Sequence, residues 1–293
     1  MRSGDCAAGD RSHIIGPRAP LFPASNPAAP HVASHPPTMT SPELSIVVPV
    51  YDEEDNVGPL YERVVEALSN SVTWELLLVD DGSRDATVPR IEALVAEDHR
   101  VRGILHPRNL GQTAALLTGF RSARAPLIAT LDGDLQNDPA DLPRLLALLE
   151  GHDAAVGIRA KRRDSIVRRA SSRIANAVRN ALTGDDVVDT GCGIKLFRAE
   201  AARAIPAFEG MHRFFPTLLR YQGFTVVQVR VSPPPRTAGT SKYGVLNRLF
   251  RSLRDLFAVR WMRSRIVREP AVKVVDRGAP ADKRERTRYE IGV

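Results

Sequence analysis

From Leu44 onward the chain alternates short apolar runs with longer segments of helical periodicity. The runs have the length of strands, and the segments between them repeat their apolar positions every three or four residues, as amphipathic helices do. In chain order, the pattern predicts strand Leu44–Val50, helix Asn56–Ser69, strand Glu75–Asp80, helix Ala86–Glu97, strand Val101–His106, helix Gln112–Ala123, strand Leu127–Asp132 and helix Pro139–Glu150. Strands and helices that alternate in this way form βαβ units, so we expect an α/β fold with a mainly parallel sheet and helices on both faces.

Two further helical patterns, both rich in arginine, lie closer to the C-terminus. One covers residues 162–182. The other covers residues 245–261 and places apolar side chains, Leu256 and Phe257 among them, on one face. This second pattern fits either a helix packed on the core or an amphipathic helix that lies in the plane of a membrane surface.

The two ends of the chain lack such patterns. Residues 1–42 hold 8 of the 22 prolines and have no hydrophobic periodicity, which predicts disorder. Met39 lies just before the first strand, so the preceding residues are interpreted as an upstream extension of the reading frame. The predicted organisation is a disordered extension over 1–42, a folded domain over 43–243, an amphipathic helix over 244–267 and a disordered basic tail over 268–293.

The composition is that of a globular protein, with 43% hydrophobic and 26% charged residues among 293. The two cysteines, Cys6 and Cys192, are too few and too far apart for a disulfide framework or a cysteine-based metal site. A reducing, cytoplasmic compartment is therefore expected. No apolar run approaches the roughly 20 residues that span a bilayer, so the sequence predicts no spanning helix.

The formal net charge of +7 is unevenly distributed. Residues 230–293 carry 16 Lys and Arg against 6 Asp and Glu, and residues 157–180 carry 8 against 1. These two basic stretches beside an acidic remainder indicate anionic partners, either a phospholipid surface or nucleic acid. Neither stretch has interleaved aromatic residues or a nucleic-acid-binding motif, so no nucleic-acid partner is predicted.

Acidic side chains follow the predicted strands at the point where each strand ends. Asp132 ends the fourth predicted strand, Asp134 follows two residues later, and Gln136 adds a neutral oxygen. Carboxylates at this spacing can hold a hard divalent cation, Mg²⁺ or Mn²⁺, that also binds a diphosphate. A bare Asp-x-Asp pair is usually a solvated turn, but its place at the shared edge of a parallel sheet favours a site.

Residues after the first two strands are candidates for binding a nucleoside. Asp80 and Asp81 can accept hydrogen bonds from a base or from ribose hydroxyls, although Asp81 or Ser83 could instead cap the following helix. Pro49 lies at the end of the first strand and Tyr51 and Glu53 follow it, and all three are suited to a flat base and its sugar. The sequence has no Gly-x-Gly-x-x-Gly fingerprint and no Walker lysine loop, which argues against dinucleotide and P-loop chemistry.

Seven motifs in this order resemble the family 2 glycosyltransferases that make polyprenyl-phosphate sugars, such as dolichyl-phosphate mannose synthase and the undecaprenyl-phosphate glycosyltransferases. The motifs are LSIVVPVYDEEDNV, LLLVDDGSRDAT, RNLGQTAALLTGF, LDGDLQNDP, DTGCGIKLFR, GMHRFFP and RTAGTSKYG. The resemblance runs from about Leu44 to Trp261. It implies a GT-A, Rossmann-like fold, a nucleotide-diphospho-sugar donor of the GDP-mannose or UDP-glucose type, Mg²⁺ or Mn²⁺, and a polyprenyl phosphate acceptor.

The resemblance also implies roles for individual residues. Asp132, Asp134 and Gln136 would hold the metal, and Pro49, Tyr51, Glu53, Asp80 and Asp81 would hold the nucleoside. Arg159 and Arg173 would bind the acceptor phosphate, while Arg236 and Lys242 would close over the phosphates. A phosphate monoester is largely dianionic at pH 7, so such a transfer needs no general base. Direct in-line attack at the anomeric carbon would invert its configuration.

The lipid acceptor implies a cytoplasmic enzyme that is peripheral on the inner face of the cell membrane. A membrane-embedded partner protein is an alternative route to the bilayer. Two other functions stay open: a family 2 glycosyltransferase that uses another acceptor of the cell envelope, and a non-catalytic nucleotide-sugar-binding module. A sugar nucleotidyltransferase lacks support, because the Gly-rich N-terminal loop and activating lysine of that class are absent between Leu44 and Gly58. A processive polysaccharide synthase lacks support, because Phe257 stands where its Gln-x-x-Arg-Trp signature needs glutamine.

Overall fold

A central seven-stranded sheet organises the chain in the computed structural model, which describes residues 41–159, 176–232 and 245–266. The strands are β1 (Leu44–Val50), β2 (Trp74–Asp80), β3 (Val101–Leu105), β4 (Leu127–Thr130), β5 (Ala154–Arg159), β6 (Lys195–Arg198) and β7 (Val226–Val231). Their order across the sheet is β3-β2-β1-β4-β6-β5-β7. Only β6 runs antiparallel to its neighbours, so the mainly parallel sheet predicted from the sequence is confirmed.

Helices connect the strands and cover both faces of the sheet. They are α1 (Val57–Leu68), α2 (Thr87–Glu97), α3 (Gln112–Ser122), α4 (Leu142–Leu148), α5 (176–183), α6 (Ala199–Ala204), α7 (Phe215–Tyr221) and α8 (Val245–Arg263). Two short 3₁₀ turns cover Pro139–Asp141 and Met211–Arg213.

The core lies in two layers, one on each face of the sheet, because successive side chains of a strand point to opposite faces. Ile46 and Val48 of β1 pack in the layer beneath α1 and α4. Val47 lies between them in sequence but packs in the opposite layer, where Phe120 and Phe215 join it from α3 and α7. Strands β1 and β2 are buried almost throughout, as expected of central parallel strands.

Two of the eight elements predicted between Leu44 and Glu150 differ from the structure by more than one residue. Strand β4 ends at Thr130, two residues earlier than expected. The helix expected from Pro139 begins as a 3₁₀ turn, and α4 follows with Pro143 at its start. Proline lacks the N–H that would continue the hydrogen-bond ladder from the preceding turn, so the two segments form separate elements. The predicted domain boundaries remain predictions.

None of the described helices, α8 included, has both the length and the apolar composition needed to cross a bilayer. Helix α8 covers the segment that the sequence predicted to be amphipathic, but the side chains of its second half do not share one face. Leu256 is buried, whereas Phe257 is 59% exposed. The apolar positions of this segment are thus divided between the core, which Leu256 faces, and the surface, where Phe257 lies.

Candidate functional site

The candidate site lies along one edge of the sheet, where the carboxyl ends of the parallel strands meet. Asp132 follows β4, and Arg159 is the last residue of β5. Because β6 is antiparallel, the loop that leads into it reaches the same edge and brings residues 189–193 there. The antiparallel strand thus adds a loop to the site that an all-parallel order would direct elsewhere.

The turn that carries Asp132 and Asp134 has a defined backbone geometry. Leu135 adopts a positive φ of 58° and its side chain is buried, while the Gln136 N–H donates to Asp134 Oδ1 at 3.1 Å. Gly133 packs against the end of β1, where a side chain would come within 2.9 Å of Val50. The turn is therefore held against the first strand, and Asp134 is fixed near the Glu53 loop.

Two amides position the Asp132 carboxylate. Gln112 Nε2 donates to its Oδ1 at 3.2 Å, and Asn137 Nδ2 donates to its Oδ2 at 3.0 Å. Asn137 is buried, and its own Oδ1 accepts from the Ile194 backbone N–H at 3.2 Å. This amide therefore connects the Asp132 turn to the loop before β6.

Negative charge is concentrated around Asp134. Burial raises the pKa of Asp134, the charge of Asp132 raises it further, and Arg159 opposes the rise. Burial also raises the pKa of Glu53, and the charge of Asp134 contributes to that rise. These carboxylates share an excess of negative charge that a cation would compensate.

The loops after β1 and β2 are joined to each other by backbone-to-side-chain hydrogen bonds. Asp52 Oδ1 accepts from the Arg84 N–H at 2.8 Å, and the Asp52 N–H donates to Ser83 Oγ at 2.9 Å. The Glu53 N–H donates to Thr87 Oγ1 at 2.9 Å. Tyr51, which is predicted to contact the nucleoside, is the first residue after β1 and is 38% exposed.

Asp80 and Asp81 are buried and support neighbouring loops. Asp80 accepts from the backbone N–H groups of Gly82 and Ser83. Asp81 Oδ1 lies 2.9 Å from His106 Nδ1 and accepts from the Leu110 N–H, and its Oδ2 accepts from the Gly111 N–H at 2.7 Å. Both carboxylates therefore shape the cleft, and direct contact with a nucleoside stays a prediction for them and for Pro49.

Asp81→Asn tests this supporting role. The substitution replaces one acceptor oxygen by an N–H group that faces other donors, so we expect the free energy of unfolding to fall by about 1–3 kcal/mol. Urea unfolding measures the change. Asp55→Asn, at an exposed carboxylate of the preceding loop, is the control and should change the stability little. Equal stabilities of the two variants would contradict the role.

Arg159, predicted to bind an acceptor phosphate, pairs with Asp189 at the site edge. Arg159 Nε lies 2.9 Å from Asp189 Oδ2, and Nη2 lies 3.0 Å from Oδ1. The hydrogen bonds to Asp189 raise the pKa of the guanidinium, which stays charged. The other predicted phosphate ligands, Arg173, Arg236 and Lys242, lie outside the described residues.

A cavity of about 180 Å³ adjoins Asp132 and contains residues that the sequence did not single out. Lys195 is buried there, with its ammonium donating to the Cys192 carbonyl, and burial lowers its pKa. His212 Nδ1 lies 3.2 Å from Thr113 Oγ1. Burial, with the nearby charges of Arg213 and Lys195, lowers the pKa of His212 to about 4, so the imidazole is neutral at pH 7.

The sequence motifs contain these residues, but the motifs alone do not indicate what each residue contacts. All four residues, Gln112, Asn137, Lys195 and His212, lie inside motifs that carried the family resemblance. Their roles depend on which strand neighbours which, because they come from segments far apart in the chain. Local spacing does not specify those neighbours.

Comparison with known proteins assigns the chain to a family. The sequence model described as Glycosyl transferase family 2 matches residues 45–205, more than half of the chain. The chain belongs to this family. The match covers β1 through α6 and includes Asp132, Asp134, Arg159 and Asp189 of the candidate site. The resemblance identified from the seven motifs is confirmed.

Two curated proteins are similar to this chain. Dodecaprenyl-phosphate galacturonate synthase of Rhizobium johnstonii is 42% identical over 224 residues, which cover 74% of this chain and 66% of that protein. Undecaprenyl-phosphate 4-deoxy-4-formamido-L-arabinose transferase of Shewanella sediminis is 39% identical over 207 residues, or 70% and 62% of the two chains. This chain spans just under two thirds of the length of these relatives.

Solved structures confirm the fold. Glucosyl-3-phosphoglycerate synthase of Mycobacterium tuberculosis superposes with a TM-score of 0.57 at 20% identity, covering 77% of this chain and 82% of that chain. A second structure of that enzyme, solved with Mn²⁺, uridine diphosphate and glucosyl-3-phosphoglycerate, gives a TM-score of 0.57 at 19% identity and covers 80% and 88% of the two chains. The likeness supports the predicted GT-A fold.

Proposed function

We propose that this protein is an inverting, metal-dependent glycosyltransferase that moves a sugar from a nucleotide-diphospho-sugar to a polyprenyl phosphate. The observation that carries the proposal is the meeting of two opposite charges at one sheet edge. The carboxylates of Asp132 and Asp134 lie close enough to the Arg159 guanidinium for their charges to act on it. Both curated relatives are named for a sugar and a polyprenyl phosphate, which supports the same reaction.

The donor side is suited to a divalent cation and a diphosphate. In residues 41–159, 176–232 and 245–266, no three His, Cys, Asp or Glu side chains converge on one metal position. Two carboxylates are nevertheless enough for Mg²⁺ or Mn²⁺ when phosphate oxygens of the substrate complete the coordination. The structural relative has been solved with Mn²⁺ and with Mg²⁺, each together with uridine diphosphate. Asp132 and Asp134, with Gln136 beside them, therefore fit the metal.

The chain's own residues prepare the donor site in three ways. Gln112 and Asn137 hold the Asp132 carboxylate in one orientation. The backbone turn at Leu135 presents Asp134 beside it. Third, the neutral imidazole of His212 lies in the adjoining cavity, where it can hydrogen bond to a sugar hydroxyl without attracting a phosphate. When bound, the cation would neutralise charge on the departing nucleoside diphosphate.

The acceptor side supplies positive charge. A guanidinium binds two phosphate oxygens through its planar fork, so Arg159 can hold the acceptor phosphate near the donor. An oxygen of that phosphate then attacks the anomeric carbon, and the bond from this carbon to the nucleoside diphosphate breaks. A dianionic phosphate carries no proton that must be removed, so the reaction needs no general base.

Acceptor dependence tests the proposal. Release of nucleoside diphosphate is measured for donors carrying glucose, mannose, galacturonate or 4-deoxy-4-formamido-L-arabinose, with detergent-dispersed undecaprenyl phosphate, with undecaprenol, and without lipid. We expect release only with the phosphate. Equal release with the alcohol would show that the phosphate is not the acceptor group.

We also place the enzyme peripherally on the inner face of the cell membrane, through the exposed face of α8. Phe257 and Trp261 are 59% and 61% exposed and lie one helical turn apart. Arginines surround this aromatic pair on the exposed surface, namely Arg254, Arg260 and Arg265. Aromatic side chains enter the headgroup region, and arginines pair with anionic lipids, so this face suits a cytoplasmic leaflet.

Replacing both aromatic residues by alanine should weaken binding to anionic vesicles at least about tenfold, because two large apolar surfaces would no longer be buried. Co-sedimentation with phosphatidylglycerol vesicles measures the effect. Leu148→Ala, which removes a 40% exposed side chain from α4, is the matched control and should bind like the wild type. Unchanged binding of the double variant would favour recruitment by a membrane-embedded partner protein.

A further inference from the structure

The pairing of Arg159 with Asp189 is more specific than an ordinary surface ion pair. Both carboxylate oxygens of Asp189 face the guanidinium, and Oδ2 also accepts from the Arg159 backbone N–H at 3.1 Å. One carboxylate thus fixes the main chain and the side chain of Arg159 together. The Arg159 side chain is still 44% exposed, against 16% for Asp189, so solvent and ligands can reach the guanidinium.

The geometry of the pair determines which part of the guanidinium faces the site. Asp189 occupies the edge formed by Nε and Nη2. Because the group is planar, Nη1 then points away from Asp189. A held arginine of this kind loses less side-chain freedom when it binds a phosphate, because much of that freedom is already lost in the free protein.

The loop that carries Asp189 also contacts the metal-binding turn. At Gly191 a side chain would come within 2.7 Å of Arg159 Nη2, and at Gly193 it would come within 2.0 Å of Asp132 Oδ2. The Gly191 N–H donates to Asp189 Oδ1 at 2.9 Å, which tightens the loop around the carboxylate. Residues 189–193 therefore lie against the candidate acceptor ligand at one end and against the candidate metal ligand at the other.

We propose that Asp189 is a positioning residue that holds the Arg159 guanidinium in place for the acceptor phosphate, with its loop setting the distance between Arg159 and Asp132. The proposal rests on the transfer to polyprenyl phosphate proposed above. The Arg159 guanidinium stays 44% exposed although Asp189 fixes one of its edges, so a phosphate can still reach it.

Asp189 is poorly suited to act as a general base. Burial alone would raise its pKa, but the hydrogen bonds and the charge of Arg159 outweigh burial and lower it. Both of its oxygens already accept hydrogen bonds from Arg159. A base would need an oxygen turned toward a substrate proton, and the acceptor phosphate brings none that must be removed.

The test compares the kinetics of Asp189→Asn, Arg159→Ala and the double variant with those of the wild type. Asparagine keeps the size of aspartate but removes its charge and one acceptor oxygen. We expect Asp189→Asn to raise the KM for undecaprenyl phosphate about tenfold, while the affinity for the nucleoside diphosphate stays within about twofold. The double variant should match Arg159→Ala, because Asp189 acts through the arginine.

Asp98→Asn is the matched control, since Asp98 also pairs with an arginine, Arg100, through both of its oxygens. This pair lies between α2 and β3, at the opposite end of the parallel strands from the site. We expect the control to lose stability but to keep the wild-type KM for the lipid. Melting temperatures of all variants separate misfolding from loss of binding.

Three results would overturn the positioning role while the wild type still transfers sugar. The first is an Asp189→Asn variant whose KM for the lipid equals that of the wild type. The second is a double variant whose loss in transfer is the product of the losses of Asp189→Asn and Arg159→Ala. The third is a lower kcat of Asp189→Asn with a shifted pH profile, which would indicate a base. Absence of transfer by the wild type on any lipid phosphate would instead contradict the proposed function itself.

Discussion

Asp134→Ala should lower the rate of sugar transfer at least about 100-fold while leaving the fold intact. A lost metal ligand removes several kcal/mol of charge stabilisation, and each 1.4 kcal/mol corresponds to a tenfold change in rate. The fold should tolerate the change because burial raises the pKa of Asp134. An acid whose pKa is raised by folding destabilises the folded state at pH values above that pKa, so removing its charge costs little stability at pH 7.

The readout combines activity with metal-dependent thermal shift. In the wild type, Mn²⁺ with a nucleoside diphosphate should raise the melting temperature, and Asp134→Ala should abolish that shift. Asp138→Asn, at a carboxylate that accepts from the Ala140 N–H in the same segment, is the control and should keep the shift. If Asp134→Ala kept more than about a tenth of the activity with metal still required, the metal assignment would be wrong.

Gly193→Ala should be almost as damaging, because the added methyl group would lie 2.0 Å from Asp132 Oδ2 and 2.5 Å from Asn137 Nδ2. Both atoms are the ends of side chains, so they can move aside without unfolding the protein. The Asp132 carboxylate would then lose its orientation, and a displacement of about 1 Å at a reacting site can cost about 100-fold in rate. We expect that loss in kcat, with the circular dichroism spectrum unchanged.

Gly58→Ala is the control for adding a methyl group to a glycine. Gly58 lies in α1, and an added Cβ would have no neighbouring atom within 4 Å. Alanine favours a helix over glycine by about 0.5–1 kcal/mol, so this variant should be fully active and slightly more stable. Full activity of Gly193→Ala would show that the loop does not constrain Asp132.

The sheet and its acidic edge could be predicted because their signals are local. Apolar runs of strand length separated by helical patterns specify βαβ units, and a βαβ unit places the ends of its strands at one edge. Asp132 and Asp134 could therefore be assigned to that edge from their place after the strand alone. Their nature as carboxylates then indicated a metal.

The residues that contact Asp132 and Arg159 could not be predicted, because they lie in segments far along the chain. The local pattern does not specify which strands are adjacent in the sheet. Strand β6 is four residues long and runs antiparallel, and nothing in its sequence indicates that it lies between β4 and β5. That placement brings Asp189 to Arg159 and Gly193 to Asp132. The same limit applies to Asp81, whose hydrogen-bond partners His106, Leu110 and Gly111 lie in a later segment of the chain.

The intact mass of the lipid product tests the central claim most directly. Undecaprenyl phosphate is incubated with the protein, Mg²⁺ and the donor that gives acceptor-dependent release, and the organic phase is analysed by mass spectrometry, with Asp134→Ala as the blank. We expect one new species, heavier than the acceptor by a single sugar residue and still carrying one phosphate. A polymer series, a lipid diphosphate sugar, or free sugar with unchanged lipid would contradict it.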